Sequence, residues 1–263
     1  MSIFEAIALE ETDDGVLVVT LDRPEAANAT NTVMGRELVA LFEKFSVEPD
    51  AARCIVLTAR GEKAFCAGGD LKERKGMTDA QWQAQHLVFE RLIRAMLGCP
   101  VPIIAAVNGA AYAGGCEIAA AADFIYAASH ARFALTEVTL GIIPGAGGTQ
   151  TLPRAIGDRR AKEVILTGLP FSAEEALAWG FINRICEPGE LMEAAVATAR
   201  RIAGNGPIAV RQAKQSIARG GQMSIWDGLA FEIEAYNRCV PTEDRREGVL
   251  AFNEKRRPVF RGL

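Results

Sequence analysis

Two glutamates and two pairs of glycines are the residues of this chain whose types and placement could do chemistry. Glu117 lies in "AYAGGCEIAAAADFIYA" (111–127), an apolar run. With Cys116, Ile118, Ala119 and Ala120 as neighbours it has little polar surface nearby, so its carboxylate is expected to point into a pocket where its pKa matters. Glu137 stands in "ARFALTEVTLGIIPGAGGTQTLPRAIG" (131–157), after a short strand-like run and before a Pro-Gly turn; by itself a glutamate there reads as a surface or cap residue. Gly68-Gly69 in "EKAFCAGGDLKE" (62–73) allow a backbone that turns an N–H into a cleft, although an ordinary Gly-Asp turn accounts for them equally well. Gly114-Gly115 open an alanine-rich segment that should start a helix, with free N–H groups and positive dipole facing whatever lies in front of Gly114. A developing oxyanion suits that place; a small-residue helix packed tightly on a sheet is the structural alternative.

Composition removes several other chemistries. The net charge of −4, from 29 Lys+Arg against 33 Asp+Glu, offers no basic field to hold a nucleic-acid backbone. The six cysteines, Cys54, Cys66, Cys99, Cys116, Cys186 and Cys239, form no C-x-x-C pair. With only His86 and His130 beside them they make no metal-ligand pattern, and they are expected to be reduced packing residues. "GAGGTQ" places Gln150 where a dinucleotide fingerprint needs its last glycine, and it lacks the Gly-Lys-Ser/Thr of a phosphate loop. A membrane span over 103–129 is disfavoured by Glu117 and Asp123 and by the turn signals Asn108-Gly109 and Gly114-Gly115. The acidic opening "MSIFEAIALEETDD" does not read as a signal or transit peptide, which leaves the cytoplasm as the expected location.

Strands and helices must alternate to position these residues. "GVLVVTLDRP" (15–24), "RCIVLTA" (53–59) and "PIIAAVNG" (102–109) are apolar, mostly β-branched runs closed by turn residues, and predict buried strands. Apolar residues recur at helical spacing in 31–45 and 79–97, with Asn31 and Asp79 as N-caps. After "FINRICEPGEL" strand signals stop, and helices are expected at 191–203, 207–218, 224–239 and 242–254. The expectation is an α/β core over 1–190 carrying the site and a helical region over 191–263.

Together, "KAFCAGGDLKE", "AAVNGAAYAGGCEIAAAADFIYAA", "ARFALTEVTLGIIPGAGGTQTLPRAIG", "EEALAWGFINRI" and the terminal "EGVLAFNEKRRPVF" resemble the crotonase (enoyl-CoA hydratase/isomerase) superfamily, from "LDRPEAANA" to the C-terminus. The resemblance implies a spiral of repeated β-β-α units with a helical C-terminal trimerisation region, assembled as a homotrimer or homohexamer. It implies an oxyanion hole from the N–H groups of Gly69 and Gly114. Coenzyme A, entering only as part of an acyl-CoA substrate and not as a cofactor, would lie along Gly69, Asp70, Leu71 and Lys72, with Ala27 and Ala29 near its adenine end. Phe252 and Lys255 match positions that approach CoA from a neighbouring or swapped tail. Glu117 and Glu137 match the two catalytic glutamates of the family's hydratases, which implies addition of water across a 2-enoyl thioester without a metal or redox cofactor.

Two departures bear on the acyl group. Tyr112-Ala113 replaces the Leu-Gly common before the oxyanion glycine, and Ala134-Leu135-Thr136 stands where many short-chain hydratases have Gly-Gln-Pro. Branched enoyl-CoA or carnitinyl-CoA-like substrates stay open. Within the family the alternatives are an enoyl-CoA isomerase or a carnitinyl-CoA dehydratase-like enzyme. From another class, a non-catalytic RNA-associated or assembly protein on the same fold is disfavoured by the charge of −4 and the two aligned glutamates.

Overall fold

The computed structural model describes residues 4–263. Among the described residues ten strands are shared between two sheets. They are β1 (Ile7–Glu11), β2 (Val16–Leu21), β3 (Cys54–Ala59), β4 (Ala64–Cys66), β5 (Ile103–Val107), β6 (Ala110–Tyr112), β7 (Phe124–Ala128), β8 (Arg132–Ala134), β9 (Phe171–Ser172) and β10 (Arg184–Cys186). The larger sheet runs β1-β2-β3-β5-β7-β10, and the smaller β4-β6-β8-β9. Pairing is parallel except for β1 with β2 and β8 with β9. Three times in succession the chain lays a strand in the large sheet, then one in the small sheet, then goes helical. That repetition is the crotonase-like spiral expected from the sequence.

The helices are α1 (Thr32–Val47), α2 (Leu71–Arg74), α3 (Asp79–Gly98), α4 (Gly114–Ala120), α5 (Gly148–Ile156), α6 (Asp158–Thr167), α7 (Ala173–Ala178), α8 (Leu191–Ala203), α9 (Pro207–Gly220), α10 (Ile225–Cys239) and α11 (Glu243–Glu254). Asn31 caps α1 as expected, accepting from the Met34 N–H. Asp79 is not the cap of α3. Thr78 is, in a reciprocal capping box with Gln81, because a hydroxyl followed three residues later by Gln satisfies two orphan N–H groups at once.

Strands β3 and β5 are buried along their whole length, which suits apolar runs in the middle of a parallel sheet. Period-2 alternation splits their side chains between two cores. Leu17, Val19, Ile55, Leu57, Ile103 and Ala105 join the main core beneath α1, α3 and α4. Val16, Val18, Val56, Ile104 and Ala106 face the other way and are covered by Leu191, Ala195, Ala199 and Ala203 of α8. The four-residue spacing of these small side chains puts them on one helical face and brings α8 close to the sheet. Asp123, the second carboxylate of the long apolar run, accepts the Ile103 N–H at 2.7 Å and pairs with Lys214 Nζ at 2.7 Å, fastening α9 to the edge of the core. Five cysteines are buried, Cys239 is half-buried, and all six are free thiols. No helix among the described residues is long and apolar enough to cross a membrane.

Candidate active site

Glu117, Glu137, Gly69 and Gly114 line one cleft, between the small sheet and the α2–α3 wall. The segments holding the glycines are stitched side by side. The Thr30 N–H donates to the Gly68 carbonyl at 2.7 Å, and the Asp70 N–H donates to the Thr30 carbonyl at 3.0 Å, so Gly69 is held between them with its own N–H unused by that ladder. Gly68 carries the positive φ, +98°, and a Cβ there would lie 2.8 Å from the Ala113 Cβ and 3.3 Å from the Gly114 nitrogen; only glycine allows that approach. A Cβ on Gly114 would be 3.7 Å from the Gly69 nitrogen, so the two glycine backbones lie close together in the cleft.

Gly114 is the first residue of α4, and Gly115 explains why that helix can sit so close. A Cβ on Gly115 would fall 2.1 Å from the Cys66 carbonyl oxygen of β4. The residue before, Ala113, has φ 50° and ψ −123°, a conformation ordinarily left to glycine. Its presence where the resemblance expects Leu-Gly places strain beside the Gly114 N–H.

Glu117 follows within α4 and is 3% exposed. Its Oε1 accepts the Ala146 N–H at 2.9 Å and the Gly148 N–H at 2.8 Å, the latter at the start of α5. Gly148 is in close contact with the carboxylate, since a Cβ there would lie 3.0 Å from Oε1. Burial pushes the Glu117 pKa up, while the two N–H donors oppose the rise by favouring the carboxylate.

Glu137 opens a short 3-10 turn, Glu137–Leu140, after β8 and is 7% exposed. Its Oε2 is buried without a hydrogen-bond partner among the described residues. Burial raises its pKa to about 7, and the charge of Glu117 adds to the rise. The two carboxyl groups thus differ: one is anchored by two N–H donors from another segment, the other has only its own backbone N–H to oppose burial, leaves Oε2 unpartnered and is pushed toward the neutral acid.

The remaining predicted contacts spread out. Leu71 lines the cleft and is half exposed, at its mouth. Asp70 is committed to structure: its Oδ1 caps α2 through the Lys72 and Glu73 N–H groups and its Oδ2 pairs with Arg23 at 3.0 Å. Lys72 points to solvent. Ala27 and Ala29 flank the cleft rather than line it, with the Ala27 carbonyl accepting the Ala67 N–H at 3.1 Å. Phe252 and Lys255 are exposed at the end of α11 and are not part of the cleft lining.

Sequence reasoning missed Arg74 and His86, which face the cleft from α2 and α3, and the Ala146 and Gly148 N–H groups that hold Glu117. The signal for the last was the glycine run 145–148, set aside as an unmatched nucleotide motif.

The enoyl-CoA hydratase/isomerase family model matches residues 11–262. YngF of Bacillus subtilis (strain 168), named as an enoyl-CoA hydratase/isomerase, is 44% identical over 98% of this chain and 99% of its own. The short-chain-enoyl-CoA hydratase of Clostridium acetobutylicum is 42% identical over 94% of each chain. The crystal structure of an enoyl-CoA hydratase from Bacillus anthracis superposes with a TM-score of 0.96 at 43% identity, covering 98% of this chain and 100% of the other. With its spiral of paired sheets and its cleft of two glutamates and two glycine N–H groups, the chain belongs to the enoyl-CoA hydratase/isomerase family.

Proposed function

We propose that this protein is an enoyl-CoA hydratase, adding water across the C2=C3 bond of a 2-enoyl-CoA thioester to give a 3-hydroxyacyl-CoA. The observation that carries the reading is the unlike state of the two carboxyl groups in one cleft. Glu117, anchored by the Ala146 and Gly148 N–H groups, is fit to remain the base; Glu137, raised to about 7 with an unpartnered Oε2, is fit to hold a proton at neutral pH.

In the proposed reaction water sits between them. Glu117 accepts a proton from the water as its oxygen bonds to C3. The electron pair of the alkene moves toward the thioester oxygen, and the Gly69 and Gly114 N–H groups stabilise the resulting enolate. Glu137 gives its proton to C2 on the same face. The cycle ends with Glu117 protonated and Glu137 ionised, and proton exchange through solvent restores both. This chemistry calls on no metal or redox cofactor, and coenzyme A takes part only as the carrier of the acyl group. We also propose that the chain works as a homotrimer or homohexamer.

Loss of the conjugated enoyl-thioester absorbance, measured over 2-enoyl-CoA substrates of different length and branching, tests the reaction. Hydration of at least one of them supports it. Turnover confined to mass-neutral conversion of a 3-enoyl-CoA contradicts it in favour of an isomerase.

A further inference from the structure

Arg74 is a buried cation in the same cleft, and the hydration chemistry does not use it. It is the last residue of α2, is 9% exposed, and lines the cleft alongside Phe89, Leu92 and Ile93. Its Nε–H donates to Gln85 Oε1 at 2.8 Å. The Gln85 amide nitrogen is itself committed, donating to Thr32 Oγ1 at 2.8 Å and to Glu73 Oε2 at 2.6 Å, so the amide cannot flip and the guanidinium is held in one orientation. The Trp82 ring lies 4.3 Å and the Phe89 ring 5.4 Å from Cζ.

What the guanidinium lacks is an anion in direct contact; the neighbouring Glu73 carboxylate attracts it only through space. Among the described residues Arg74 takes part in no ion pair within 4 Å, and Nη1 and Nη2 have no hydrogen-bond partner. Aromatic faces compensate a desolvated charge only in part, and a buried cation is tolerated when something pairs with it. The free edge is close to the reacting centre: a Cβ on Gly69 would lie 3.3 Å from Cζ and from Nη1. The anionic phosphates of coenzyme A are poor candidates for that edge, because the surrounding wall is apolar and leads to the two glutamates.

Resting on the acyl-CoA reading of the cleft, we propose that Arg74 selects a substrate whose short acyl chain itself ends in a carboxylate. The two Nη groups present paired N–H donors that match a carboxylate's two oxygens. The cation also offsets the repulsion that the Glu117 carboxylate would exert on an anionic acyl group.

Saturated thioesters test this apart from catalysis, by calorimetric titration of the wild type, Arg74→Met and Arg74→Lys with butyryl-CoA and glutaryl-CoA. Both ligands carry the same coenzyme A, so their affinity ratio isolates the carboxylate. The wild type is expected to bind glutaryl-CoA about 10- to 100-fold more tightly than butyryl-CoA. Arg74→Met should bring the ratio near one, and Arg74→Lys should keep part of it. A wild-type ratio near one overturns the proposal whether or not either variant folds. Equal weakening of both ligands in Arg74→Met overturns it too, leaving Arg74 as a brace between α2 and α3 or a contact to coenzyme A. Failure of the wild type to bind either thioester strikes the acyl-CoA reading itself.

Discussion

The division of labour between Glu117 and Glu137 gives the most direct predictions at the scale of single residues. Glu117→Gln and Glu137→Gln should each lower kcat by at least about 100-fold while acyl-CoA binding survives, as befits lost general acid–base catalysis. A proton donor with a pKa of about 7 is ionised as pH rises, so the wild-type hydration rate should fall through neutrality toward alkaline pH. The same elevation carries a stability cost with a definite sign. A carboxyl group whose folded pKa exceeds its unfolded value near 4.5 binds its proton more tightly in the native state, so stability falls as pH rises from about 4.5 to 7. Glu137→Gln removes that cost. Its melting temperature should exceed the wild type's at pH 8, by an amount corresponding to at most about 3 kcal/mol, and the advantage should vanish below pH 4.5. Thermal denaturation at the two pH values checks it; a variant less stable at pH 8 would show that Glu137 makes a stabilising contact instead. Glu117 was legible in the sequence because an ionisable residue inside an apolar run announces itself, whereas Glu137, which by itself reads as a surface or cap residue, was picked out only through the family resemblance. Arg74 was not, since "DLKER" reads as the charged turn of any surface helix until α3 is seen to fold over it.

At the scale of elements, the proposed oxyanion hole depends on backbone held by close packing. Gly114→Val should fold, because a Cβ at that position meets only ordinary contacts at 3.7 Å, yet its branches crowd the two N–H groups. A loss of about 10²- to 10³-fold in hydration rate with an unchanged melting temperature is expected. Gly115→Ala should behave in the opposite way and destabilise the fold, since its Cβ has nowhere to go against the Cys66 carbonyl. If the melting temperatures of the two variants fall equally, the distinction between a functional and a packing glycine is wrong. The central strands β3 and β5 were legible from their apolar runs, and the four tail helices from the end of strand signals after 190; the structure adds that Ser224 and Thr242 cap the last two. The small sheet was not legible, because β4, β6 and β8 are three residues each, too short for alternation to show. Likewise, the grip of α5 on Glu117 joins residues 29 and 31 positions apart, which no local pattern encodes.

Across the whole molecule, α9 and α10 pack on each other while Ile217, Ile225, Trp226, Ile233 and Tyr236 stay more than half exposed. So much apolar surface on two neighbouring helices suits a contact between copies. Light scattering at micromolar concentration should give the mass of a trimer or hexamer, and a monomeric mass would count against that assembly. In the proposed reaction two unlike carboxyl groups and a backbone oxyanion hole add water to an enoyl thioester. Its most direct measurement is incubation with crotonyl-CoA and glutaconyl-CoA in ¹⁸O-labelled water, read by mass spectrometry of the acyl-CoA products. A 3-hydroxyacyl-CoA carrying the label on C3 is expected from at least one substrate, and its formation should be lost in both glutamine variants. Recovery of both thioesters unhydrated by the wild type, or labelled product formed at wild-type rate by Glu117→Gln or Glu137→Gln, would contradict it.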